Sequence, residues 1–189
     1  MPQSLANILI HVIWSTKERR PLIADDVRPQ LHGYMADILK NIESPALIIN
    51  SVSDHVHILS RLSKNLAACK LVEEVKKSSS KRIKEQGVGD FAWQNGYGVF
   101  SVSQSNVDAV RKYIEQQAEH HKKRDFKDEF REFCKRYTVA IDERYMCGID
   151  YVTPLQGLNL FWKRCSQGVA LGCHVIALSA RDNWRVLQS

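Results

Sequence analysis

ALIINSVSDHVHILSRL, residues 46–62, decides the architecture. Two runs rich in branched residues, 46–52 and 55–62, are separated only by Ser53 and Asp54. A link that short suggests a hairpin of antiparallel strands. In the second run side chains two apart share a face, so Val56, Ile58 and Leu62 point one way while His55 and His57 point the other. Two imidazoles on one face are either semi-exposed residues of a half-buried strand or two ligands aimed at one ion. The spacing alone leaves both readings open.

Upstream of the hairpin, SLANILIHVIW (4–14) alternates and reads as a strand, with Ile8, Ile10, Val12 and Trp14 on one side and Leu9, His11 and Ile13 on the other. His11 is expected to be a structural histidine. After the basic loop TKERRPLI, Asp25 or Asp26 can cap a helix running to about Ile42, with Pro29 in its first turn and a stripe of Val27, Leu31, Tyr34, Met35, Ile38, Leu39 and Ile42. Downstream, a helix is expected over roughly 65–86, with Leu66, Val72, Val75 and Ile83 inward and Gly87 and Gly89 at its end. YGVFSVS (97–103) reads as a fourth strand. Ser105 with Asp108 is an acidic variant of a capping box, opening a helix with a stripe of Val107, Val110, Ile114 and Ala118. DEFREFCKRYTV (128–139) is helical too, with no packing partner evident in the sequence.

The order β-α-β-β-α-β-α points to an α+β fold of ferredoxin-like (RRM-like) plan: a four-stranded antiparallel sheet with helices packed against it. That domain takes in residues 1–150, and 151–189 is an extension without a clear helix or strand period and without an assigned role.

Composition places the chain among ordinary globular proteins, with 44% apolar and 25% charged residues. No apolar run is long enough to span a membrane, and the first residues do not read as a signal peptide. The five cysteines form no CxxC, which suits reduced thiols in a bacterial cytoplasm. The net charge of +6 hints at a polyanionic partner, but half of it sits in 151–189, where four basic residues face one acidic. Two basic clusters remain: 64–86, with seven basic and three acidic residues, and 111–124, with five and two. From charge alone, solvated helix faces explain them as well as a nucleic acid does.

The helix after Ser105 adds a second chemical group. Tyr113 and Gln117 lie one turn apart on one face, off the apolar stripe, and His120 and His121 continue that face. A phenol with an ordinary pKa of about 10 is a poor nucleophile at neutral pH, and a nearby divalent cation can help it by drawing charge off the group it attacks.

DHVHIL (54–59), WQNGYGVFSVS (93–103) and VRKYIEQQAEHH (110–121), followed by KKRDFKDEF, together with HVIWSTKERRPLI near the start, resemble the single-tyrosine HUH transposases of the insertion-sequence 200/605 type. REP-associated tyrosine transposases belong to the same superfamily. The resemblance covers about residues 3–146. It implies that His55 and His57 bind Mg²⁺ or Mn²⁺, that Gln117 is the third ligand, and that Tyr113 is the nucleophile. The tyrosine would attack a phosphate of single-stranded DNA, giving a 5′-phosphotyrosine and a free 3′-hydroxyl, with no nucleotide cofactor. Partners implied are single-stranded DNA bearing hairpins and a second copy of the chain in a homodimer. Lys76, Lys77, Lys81, Arg82 and Lys84, and Lys122, Lys123 and Arg124, are the candidate phosphate contacts, with Trp93, Tyr97 and Phe100 as candidate stacking residues. Two further classes stay in view: a domesticated REP-type hairpin binder without transposition activity, and a replication-initiator or relaxase nickase sharing the chemistry.

Overall fold

The computed structural model describes residues 4–121 and 126–140. The expectations for Lys122, Lys123, Arg124 and the extension 151–189 fall outside them. The elements are β1 (Ile8–Ser15), α1 (Arg28–Asn41), β2 (Ala46–Ser51), β3 (His55–Leu62), α2 (Ala68–Glu85), β4 (Gly98–Val102), α3 (Val107–Glu115), α4 (Gln117–His121) and α5 (Phe126–Arg136). The four strands form one sheet in the order β2-β3-β1-β4, every pair antiparallel. This is the expected ferredoxin-like α+β plan, with β2 and β3 joined as a hairpin.

The sheet has two covered faces, and the alternation of β1 and β3 explains why. Ile10, Val12 and Trp14 of β1 and Val56 and Ile58 of β3 form one apolar cluster with Leu31, Met35 and Leu39 of α1 and Leu71, Val72, Val75 and Ile83 of α2. The opposite face carries Leu9, Ile13 and Leu59, covered by Val107 and Ile114 of α3 and by Phe126 and Cys134 of α5. His11, His55 and His57 fall on this second face by the period of two, and α3 and α5 seal them from solvent. All three are 0% exposed, so the reading of semi-exposed histidines does not hold.

Local signals were met unevenly. Gly87 ends α2 with φ +102°, a conformation open to glycine, while Val88 N–H returns to Ile83 O at 3.4 Å. α1 begins at Arg28 with Pro29 in its first turn, but its cap position is Val27, and Asp26 reaches only the Val27 N–H, at 3.0 Å. The Ser105 capping box does not form. The chain first makes a tight 3₁₀ turn over Gln104–Asn106, the Ser105 hydroxyl bonds that of Ser103 at 3.0 Å, and α3 starts with Asn106 as its uncapped N-cap. The apolar stripe also stops early. α3 ends at Glu115, and its C-cap Gln116 (φ −90°, ψ 14°) turns the following residues so that Gln117 is buried and Ala118 exposed, the reverse of the expected pattern.

Candidate active site

β3 presents His55 and His57 from adjacent positions on the buried face, and each is held by a different partner. Asp54 Oδ1 lies 2.7 Å from His55 Nδ1, and Arg19 grips the same carboxylate through Nε and Nη2 at 3.0 and 2.8 Å. Burial raises the Asp54 carboxyl, but the hydrogen bonds and charges of His55 and Arg19 outweigh it and bring the group down to about 2. Accepting from Nδ1–H, this anion leaves the His55 lone pair on Nε2. Arg19 reaches Asp54 from a turn in which Glu18 and Arg19 both have φ near +56°, and its guanidinium lies 5.0 Å over the Phe126 ring. Non-glycine residues adopt that conformation at some cost, offset here by the two-pronged ion pair.

His57 is held from β1. Its Nδ1 is 3.0 Å from His11 Nε2, and the two rings stack with centroids 5.2 Å apart. Burial pushes His11 down to about 3, so it is neutral, and one of the two rings donates to the other; with His57 as the donor, its lone pair falls on Nε2. His11 is thus a structural histidine as expected, and its structural task is to hold a candidate ligand.

Tyr113 projects from α3 beside these rings, its own ring centroid 6.0 Å from that of His57 and 6.4 Å from that of His11, with the hydroxyl buried. α3 is tied to the sheet from within the same chain: Asn50 of β2, paired with His57 in the ladder, donates to Ile114 O at 2.7 Å and Glu115 O at 3.3 Å. Tyr113 therefore lies against the histidines of its own chain.

Gln117 opens α4, fully buried, and donates through Nε2 to Glu129 Oε1 at 3.2 Å. Glu129 is the site residue that sequence reading missed. It comes from α5, is 8% exposed, and places Oε1 3.8 Å from His57 Nε2. One ligand atom from each of His55, His57 and Glu129 falls within a span of 4.8 Å. Around a single ion with bonds of about 2.1 Å such atoms stand roughly 3–3.5 Å apart, a contraction that rotamer adjustments can supply. Two imidazoles and a carboxylate are a donor set that first-row divalent ions accept, so the residues fit the metal the resemblance implies. Burial, with Asp54 and Glu132 nearby and Arg19 only partly offsetting them, raises the Glu129 carboxyl to about 8.

The basic residues of α2 are placed elsewhere. α2 packs on the Val56/Ile58 face, so the sheet stands between it and the histidines. Lys77, Lys81 and Lys84 are exposed, and Arg82 lies 6.0 Å over the Tyr34 ring. Lys76 differs from them: its ammonium donates to Gln94 O, Asn95 O and Gly96 O at 2.8, 3.3 and 2.8 Å, and burial lowers it to about 7. Of the candidate stacking residues, Trp93 is buried with its indole N–H on Ser79 Oγ at 2.9 Å, Phe100 is buried against α5, and Tyr97 is exposed.

The profile of the family described as "Transposase IS200 like" matches residues 4–117. The ISDra2 transposase TnpA of Deinococcus radiodurans is 27% identical over 114 residues, covering 57% of this chain and 81% of the relative. The crystal structure of a transposase candidate from Deinococcus radiodurans R1 superposes with a TM-score of 0.50 at 24% identity, covering 62% of this chain and 98% of that one, which shows the fold. A REP-associated tyrosine transposase bound to a REP hairpin is more distant, with a TM-score of 0.42 and 13% identity over 60% of this chain and 66% of that one. With more than half of its length matched, from the first strand through the tyrosine helix to Gln117, the chain belongs to the IS200-like transposase family.

Proposed function

We propose that the chain is a metal-dependent single-stranded DNA endonuclease and strand-transferase that acts through a 5′-phosphotyrosine at hairpin-flanked ends of a mobile element. The observation carrying this reading is the placement of the Tyr113 ring 6.0 Å from the ring of His57, on the sheet face that also holds His55, Gln117 and Glu129. His55 and His57 would hold the ion through Nε2, with a third donor from the Gln117–Glu129 pair. A bound Mg²⁺ or Mn²⁺ would withdraw charge from the scissile phosphate.

The chain's own residues supply orientation and nucleophile. Asp54 keeps His55 in the tautomer that offers Nε2, His11 fixes the orientation of the His57 ring, and Asn50 keeps α3 seated so that Tyr113 stays beside them. In the first step the Tyr113 hydroxyl oxygen bonds to phosphorus, the bond from phosphorus to the 3′-oxygen breaks, and the phenol proton ends on that 3′-oxygen. A 3′-hydroxyl from another strand reverses these bond changes and frees the tyrosine. The phosphotyrosine conserves the phosphodiester bond energy, so no nucleotide cofactor is needed. Exposed Lys81, Arg82 and Lys84 would contact DNA backbone away from the scissile phosphate.

The test is a denaturing gel of the protein with labelled single-stranded DNA from its own flanking region. Wild type with Mg²⁺ or Mn²⁺ is expected to give a denaturant-stable adduct, while Tyr113→Phe gives none yet binds the hairpin normally. His57→Ala is expected to lose cleavage. Tight hairpin binding by wild type with no adduct would refute the endonuclease and favour a domesticated hairpin binder.

A further inference from the structure

The sheet separates the basic face of α2 from the histidines, so a DNA strand that touches both must turn around the end of the sheet. The loop 93–97, between α2 and β4, stands at that turn. Gln94 N–H donates to Ser15 O at 2.9 Å and Lys17 N–H to Ala92 O at 2.8 Å, and Ser15 is the ladder partner of His55. The loop is therefore two backbone spacings from His55, about 10 Å. It also reaches the other side of the sheet. Gly98 pairs with Ile13, so Tyr97 carries the parity of Trp14 and turns towards α2, where Lys76 Nζ lies 5.4 Å from its ring centroid.

This loop is held in one shape from beneath. Lys76 donates to the carbonyls of Gln94, Asn95 and Gly96, Trp93 bridges to Thr16, and the Trp93 indole N–H rests on Ser79 Oγ. With its carbonyls drawn inward to an ammonium, the loop leaves Asn95, Gly96 and Tyr97 exposed. Tyr97 is 44% exposed, and among the described residues no other tyrosine, tryptophan or phenylalanine is exposed. A Cβ built on Gly96 meets nothing within 4 Å, so the space over the loop is open. A ring fixed on a preformed loop gives up little freedom when a flat partner stacks on it. Nucleobases are such partners and stack whatever their sequence. Lys17, whose backbone is tied to Ala92, and Lys77, next to Lys76 on α2, are exposed cations for the adjoining phosphates.

We infer that Tyr97 and Asn95 form a platform for one unpaired base of single-stranded DNA, where the strand passes from the α2 face to the histidines. Tyr97 stacks on the base, and the Asn95 amide offers its edge both a donor and an acceptor. The inference rests on the reading that the chain engages single-stranded DNA.

The experiment uses the full-length protein without added metal, so that binding is read apart from cleavage, with labelled oligothymidylate as the probe. Fluorescence anisotropy over a salt series compares wild type, Tyr97→Phe, Tyr97→Ala and Lys17→Ala, and thermal melts check each fold. Tyr97→Phe keeps the ring and should bind like wild type, while Tyr97→Ala should lose about 10-fold with no change in salt dependence. Lys17→Ala should instead flatten the slope of log affinity against log salt by about 0.7, the share of one single-strand phosphate. Oligothymidylate carrying 5-iodouracil should crosslink to Tyr97 under ultraviolet light, located by mass spectrometry. Loss of affinity in Tyr97→Ala with no Tyr113 adduct in the cleavage assay would keep the platform and refute only the endonuclease. Tyr97→Ala binding as tightly as wild type, or crosslinks confined to other residues, would overturn the platform even where the adduct forms. A lower melting temperature with unchanged DNA affinity would also overturn it, leaving the ring as a support for Lys76. If wild type binds no oligothymidylate at low salt, the inference fails.

Discussion

Gly98→Ala tests whether α5 is seated on the sheet, because two opposing effects predict opposite signs. Gly98 of β4 lies opposite Ile13 in the ladder, and its backbone is not in the left-handed region. With nothing in the way, alanine would stabilise the protein by about 0.4–1 kcal/mol, through the entropy removed from the unfolded chain. Space is not available: a Cβ there would stand 2.8 Å from Phe130 Cε2, 2.9 Å from Phe100 Cε2 and 3.2 Å from Phe130 Cζ. The Phe100 ring cannot retreat freely, being stacked on Phe133 with centroids 5.5 Å apart and against Tyr137 at 4.8 Å. Phe130 is backed by Phe126 at 5.8 Å. Overpacking of this kind costs about 1–3 kcal/mol, so the net effect is a loss of about 1–2 kcal/mol, or roughly 3–6 °C in Tm for a domain of this size. The easiest relief is to lift α5, which carries Glu129 away from His57, so Mn²⁺ affinity should fall in a variant that alters no ligand. Gly33→Ala is the matched control. Gly33 is an exposed position of α1 with no atom within 4 Å of a built Cβ, and it should gain up to about 1 kcal/mol. Thermal melts and Mn²⁺ titration of both variants decide the matter. A Gly98→Ala protein as stable as wild type, with unchanged metal affinity, would refute the packing of α5 on β4.

Lys76→Met should destabilise the protein by about 1–3 kcal/mol, measured by urea denaturation, because three carbonyls lose their donor, while hairpin affinity stays near wild type. Lys81→Ala should do the reverse, weakening DNA binding and its salt dependence with little effect on stability. Asn50→Ala removes the donor to Ile114 O and Glu115 O, and should cost about 1–2 kcal/mol and slow adduct formation by loosening α3. His32 supplies a pH test: burial, with Arg28 nearby, lowers it to about 4, and its Nε2 lies 2.8 Å from Ser51 Oγ. Between its unfolded value near 6.5 and about 4 the unfolded chain holds the extra proton, so stability falls as pH falls through that window. Relative to His32→Gln, wild type should lose about 1 kcal/mol per pH unit there, the one-proton slope of about 1.4 reduced for partial exposure. Parallel stability curves for the two proteins would contradict it.

Most of the topology was readable because it rests on local pattern. The period of two separated Val56 and Ile58 from His55 and His57, and the two-residue link between their strands required an antiparallel neighbour. Helical spacing identified Val72, Val75 and Ile83 as inward residues of α2, and the same rule missed Leu71, which joins the core cluster, and Ser79, which the Trp93 indole N–H reaches. At α3 the helical period predicts Ala118 inside, but the helix breaks at Gln116 and Gln117 takes the inward position.

By itself, the sequence determined the order of elements along the chain, the shared face of the two histidines and the tyrosine helix that follows them, since each depends on spacings of a few residues. Tertiary structure decided which groups surround the histidines. His11 reaches His57 across 46 positions and Gln117 reaches Glu129 across 12, through strand pairing and helix seating that no local pattern encodes. It also turned Lys76 onto the 94–96 backbone and set the sheet between the basic face of α2 and the site. Charge and helical period describe one element at a time. A metal centre is set by where several elements converge, and only side-chain packing between them specifies that point.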